Sequence, residues 1–145
     1  MISIIALFCE DVRQEASGQY TLIGILPDHI EAPALPAMLP KLGVYIRAEF
    51  DSQSRPGSMR VSFVNGDGDE VMPLPNWSAE TIDQAYNDAR AKGSPIYGLI
   101  ITAVTAPFRL MKEEVLKVVA EIDGISHIAG ILNITASPTA SPPPS

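Results

Sequence analysis

The stretch Val115-Leu-Lys-Val-Val-Ala-Glu-Ile-Asp-Gly-Ile-Ser-His-Ile-Ala-Gly-Ile131 decides between two folds. Val115, Val118, Val119 and Ile122 suit one face of a helix, whereas Leu116, Val118, Ala120 and Ile122 suit one face of a strand. Asp123-Gly124 makes the choice, because Asp-Gly between two apolar runs favours the two-residue turn of a β-hairpin. Such a loop pairs Ile122 with Ile125, Ala120 with His127, Val118 with Ala129 and Leu116 with Ile131. Every residue on that face is apolar except His127, as a correct register requires. The alternative is an α+β domain in which 115–122 is helical.

The N-terminus has the same grammar. Ile2 to Asp11 is apolar at consecutive positions until Cys9, the pattern of a strand covered on both faces. Glu15-Ala-Ser-Gly18 supplies a turn, and Tyr20 to Leu26 returns as the partner strand. Pro27 to Pro40 then carries four prolines. Proline lacks an N–H donor, so this segment is expected to form neither ladder nor helix but an extended, ordered crossover. Leu42, Val44, Ile46, Ala48 and Phe50 alternate with polar neighbours as a half-exposed strand. Met59 to Phe63 makes another, and Val71-Met72 a short return. Ala79 to Lys92 is the one helix, with Ser78 as N-cap, Gly93 just past its end, and Ile82, Ala85, Tyr86 and Ala89 on one face. Trp77 can staple onto Ile82. Ile96 to Ala106 is a β-branched strand closed by Pro107.

These elements predict a mainly β fold: a two-layer antiparallel β-sandwich of about seven or eight strands with one helix at an end or edge. The chain has 145 residues, 46% hydrophobic, enough for one domain over 1–135 with a core that needs no disulfide. The Thr/Ala/Ser/Pro-rich end, 136–145, reads as a flexible tail.

Charge narrows the partners. The formal net charge is −7, which disfavours nucleic acid and anionic membrane surfaces. No run approaches the roughly 18 apolar residues of a membrane span, and no signal-peptide core is present. A lone cysteine, Cys9, excludes an internal disulfide and fits a reducing compartment. A cytoplasmic location is expected.

The densest polar cluster is Cys9, Asp11 and Arg13. Adjacent carboxylates disfavour a thiolate, so Cys9 is read as a buried hydrophobe beside an Asp11–Arg13 pair, not as a nucleophile. Glu10 and Asp11 point to opposite faces of a strand and cannot converge. Asn65-Gly-Asp-Gly-Asp-Glu70 resembles a calcium loop but lacks Gly at the sixth position and Glu at the twelfth. It is read as a turn, so Ca²⁺ is not expected to stabilise the chain. His29 and His127 lack spaced partners for zinc. No catalytic, cofactor-binding or metal residue is assigned, and no cofactor is expected. The segment 27–40 holds Ile30, Leu35, Met38 and Leu39 on a stiff backbone. Those four are candidate partner-binding residues, the competing reading being that they cap the core.

Phe8-Cys-Glu-Asp-Val-Arg-Gln-Glu15, Gly18-Gln-Tyr-Thr-Leu-Ile-Gly-Ile25 and Pro36-Ala-Met-Leu-Pro-Lys-Leu42 resemble an uncharacterised bacterial protein family. Its members open with a Cys-Asp/Glu-Asp-Ile/Val-Arg block and a Leu-Ile-Gly-Ile block, and carry an Asp-Gly hairpin near the end. The resemblance is good over the first third of the chain and loose beyond it. It implies a small β-rich domain of unknown activity and adds no catalytic residue.

The functional expectation is a non-catalytic binding or structural module that takes a protein partner or self-associates. Two alternatives stand beside it. One is a small hydrolase or isomerase whose site assembles from distant loops. The other is a phage or envelope assembly subunit, an analogy of fold alone.

Overall fold

In the computed structural model, which describes residues 3–137, Asp123 and Gly124 both have positive φ, 50° and 82°. That is the geometry of the two-residue hairpin turn. The Asp123 carboxylate accepts the N–H groups of Gly57 and Ser58 at 2.7 and 2.9 Å, fastening the turn to the loop that faces it.

Eleven strands and one helix follow in order among the described residues. They are β1 (Ser3–Gln14), β2 (Tyr20–Ile25), β3 (His29–Ala32), β4 (Ala37–Leu39), β5 (Leu42–Asp51), β6 (Met59–Val64), β7 (Glu70–Met72), α1 (Ala79–Lys92), β8 (Ile96–Thr105), β9 (Phe108–Leu110), β10 (Glu114–Ile122) and β11 (Ile125–Ala136). One sheet runs β2-β1-β5-β8, the second β3-β11-β10-β6-β7, and β4 pairs with β9 as a short third ladder. The fold is the mainly β sandwich expected, with one helix. Strand 114–122 excludes the helical alternative.

The core lies between the two large sheets. Phe8, Val44, Ile46, Ala48, Phe50, Leu99 and Ile101 face inward from the first. Val61, Phe63, Leu116, Val118, Ala120 and Leu132 answer from the second. The Phe8 and Phe63 rings meet across the gap, centroids 5.4 Å apart. Ser78 caps α1 by accepting the Thr81 N–H at 3.1 Å, and Gly93 ends it in the left-handed conformation. Ile82 and Ala89 are its buried residues, and the Trp77 indole N–H donates to the Ile100 carbonyl at 3.0 Å.

Five expectations are corrected. The hairpin pairs Ile122 with Ile125 and Ala120 with His127, but a bulge between Val118 and Val119 then shifts the register. Val118 faces Gly130 and Leu116 faces Leu132, not Ala129 and Ile131. Burial explains the shift: it turns Leu132 and Ile134 into the core and leaves Ile131 outside. The proline segment does form ladders, because five residues between Pro27 and Pro33 and three between Pro36 and Pro40 are free of proline. The first of these, β3, pairs with β11 in parallel, so the second sheet is mixed rather than antiparallel. With β3, β4 and β9 included, the strands exceed the seven or eight expected. Ala136 belongs to β11 and the Ser137 N–H donates to the Ala32 carbonyl at 2.7 Å, so the sheet extends past 135. The expected tail over 138–145 lies outside the described residues.

Candidate functional site

Cys9 is fully buried, and its partner across β1 and β5 is Gly43. Burial pushes its thiol up to about 11, with the charges of Asp11 and Glu10 adding to the rise and a backbone hydrogen bond from Asp11 opposing it. A thiol so placed is a poor nucleophile. Asp11 turns to Lys41 at 3.5 Å, and its Oδ1 accepts the Val12 N–H at 2.9 Å. Arg13 is exposed and makes no ion pair among the described residues, so Cys9, Asp11 and Arg13 do not converge. His29 leans on Asp28 at 3.3 Å at the surface. His127 is half-buried opposite Ala120, without a hydrogen bond among the described residues. In the 65–70 turn, the Asn65 side chain accepts the N–H groups of Asp67 and Asp69 at 2.9 and 3.0 Å, which is turn chemistry.

The four residues singled out in 27–40 separate. Ile30 and Leu39 are buried, Leu35 is half-buried against the core, and Met38 is 47% exposed. The β4–β9 ladder makes this division. Leu39 faces Phe108 across it and both turn inward, while Met38 faces Arg109 and both turn outward. A three-residue strand whose ends point into the core holds its middle side chain on a rigid base.

Met38 and Arg109 share a surface cavity of about 370 Å³ with Pro36, Ala37 and Met111. Met111 is 53% exposed. A second cavity of about 150 Å³ adjoins it and also has Arg109 and Met111 in its wall. Glu114 reaches into the second, where its Oε1 is buried and has no hydrogen-bond partner among the described residues. Lys112, on the same rim, faces Asp67 at 3.6 Å. Arg109 itself forms no ion pair among the described residues. Two thioethers therefore share the cavity with a guanidinium that makes no ion pair among the described residues. This end of the sandwich can hold apolar groups and a carboxylate together.

Sequence reasoning missed Arg109, Met111 and Glu114. The signal available was Phe108-Arg-Leu-Met111 directly after Pro107, an alternation of four residues, too short to be read as a strand without its partner.

A model of one protein family matches residues 4–126. The chain belongs to DUF6941, a family of unknown function. The DUF6941 match contains Met38, Arg109, Met111 and Glu114, and ends just after the β10–β11 turn. No curated protein and no solved structure matches the chain. Among the described residues of this DUF6941 member, no helix is long and apolar enough to cross a membrane.

Proposed function

We propose that the chain is a non-catalytic binding module that takes an apolar, acidic segment of a protein partner at the β4–β9 end. One observation carries the reading: Met38 and Met111 lie exposed in one cavity with an arginine that has no ion pair among the described residues. Methionine is flexible and polarizable, so it adapts to varied apolar surfaces. Arginine is enriched among residues that dominate interface energetics. The net charge is −7, so Arg109 is a local positive point on an acidic chain, and it attracts carboxylates that the rest of the surface repels. The buried Cys9, with its raised thiol, supports a non-catalytic role at the other polar cluster.

The test uses the full chain as bait in extract of its native host, beside Arg109→Glu and a Met38→Ser/Met111→Ser double variant. The expected result is a partner retained by the wild type and lost by both variants, with their denaturant midpoints unchanged. Retention of the same proteins by all three would reject the reading.

A further inference from the structure

A second groove, on the opposite charge, lies between α1 and the free edge of β8. In the β5–β8 ladder the Ser52 N–H donates to the Pro95 carbonyl at 2.9 Å. That bond sets the phase of the ladder, since alternate residues of an antiparallel strand turn their backbone groups away from the partner. Tyr97, Leu99 and Ile101 bond to β5, and Gly98, Ile100, Thr102 and Val104 point outward. The bond from the Trp77 indole to the Ile100 carbonyl agrees with this phase, because it comes from the outer side. β8 is an edge strand of its sheet, so among the described residues no further strand occupies this row.

Beside it, α1 presents Thr81, Gln84, Ala85 and Asp88, spaced as one helix face. These four, with Trp77 and the backbone of Gly98 to Ile100, enclose a groove of about 290 Å³. Asp88 is exposed and makes no ion pair among the described residues. Thr81 to Asp88 spans roughly 10 Å of helix, which matches about three residues of extended chain. Gly98 lines this space, and a Cβ there would meet the Arg47 guanidinium at 3.1 Å.

We infer that this groove accepts an extended peptide segment as an added strand on β8, with a basic side chain of that segment directed to Asp88. In the groove the Gly98 N–H and C=O and the Ile100 N–H face outward, the Ile100 carbonyl being held by the Trp77 indole, and an extended backbone fits these groups. Asp88, without an ion pair among the described residues, sets the charge of the visitor. This inference rests on β8 and α1 and is independent of the β4–β9 cleft.

The probe is a capped seven-residue peptide of alternating Val and Lys, with two controls. One control replaces Lys by Glu; the other carries N-methyl groups on alternate backbone nitrogens. Trp77 is the chain's one tryptophan and lines the groove, so its emission reports occupancy. The expected result is a saturable change in Trp77 emission with the Val/Lys peptide and slowed exchange of the Gly98 amide. Asp88→Lys should weaken binding by roughly tenfold, since attraction becomes repulsion, and Asp88→Asn by less. Both control peptides should fail. Equal binding of the N-methylated peptide, equal binding of the Glu peptide, or no saturable response at millimolar peptide would overturn the inference. So would protection of Gly98 that rises with protein concentration alone, which would assign the edge to a second copy.

Discussion

Cys9 sits where Gly43 leaves room for its sulfur; a Cβ at Gly43 would come within 2.9 Å of Sγ. Desolvation there raises the thiol to about 11, so the folded chain holds its proton at pH values where the unfolded chain releases it. The stability this gives is fully present below the unfolded pKa and is lost as pH rises through the folded one. Two units correspond to on the order of 3 kcal/mol, withdrawn between about pH 9 and about pH 11. Denaturant midpoints of wild type and Cys9→Ala at about pH 8 and about pH 10.5 isolate the effect from other titrating groups. The wild type should lose more stability over that interval than the variant. Equal losses would show that the thiol is not held in its neutral form by burial.

At the scale of elements, the same argument divides the proline segment. Leu39 is 5% exposed and Met38 47%, though they are neighbours, because β4 alternates about its single pair of inward ends. Leu39→Ala should cost about 2–5 kcal/mol, as buried truncations do, and Met38→Ala close to none. Urea midpoints of the two variants measured together decide it; comparable losses would place Met38 in the core. The strands that could be read in advance are those whose partners lie next to them in sequence, such as β1 with β2 and β10 with β11. The helix could be read from Ser78, Gly93 and its periodic face alone. β3 could not, since its partner is the distant β11, and neither could β4, whose partner is β9. The bulge has one local trace, Ala129-Gly130, and Gly130 is required by a distant contact: its backbone lies against the Ala6 carbonyl of β1, where a Cβ would stand 2.9 Å from the oxygen. The Met38–Arg109–Met111 cleft was hidden for the same reason. It is assembled by a three-residue ladder between segments some 70 residues apart in sequence.

At the scale of the whole molecule, three ladders share one core, and Phe63 links them. Its ring lies 5.4 Å from Phe8 of the first sheet and 6.3 Å from Phe108 of β9, while Phe63 itself belongs to the second sheet. Truncating it removes contacts to both neighbouring layers, so Phe63→Ala should cost about 3–5 kcal/mol. The more telling consequence is in cooperativity. Trp77 reports on the α1–β8 side, and far-UV circular dichroism reports mainly on the strands of both sheets. If the layers depend on one core, both signals in Phe63→Ala should shift to the same lower denaturant midpoint and stay superimposable, as a two-state unit requires. A Trp77 transition that keeps the wild-type midpoint while the dichroism moves would mean that α1 and β8 unfold apart from the second sheet. The shared aromatic contacts argue against that outcome, because Phe63 of the second sheet packs on Phe8, and Phe8 lies on β1, which is bonded through β5 to β8.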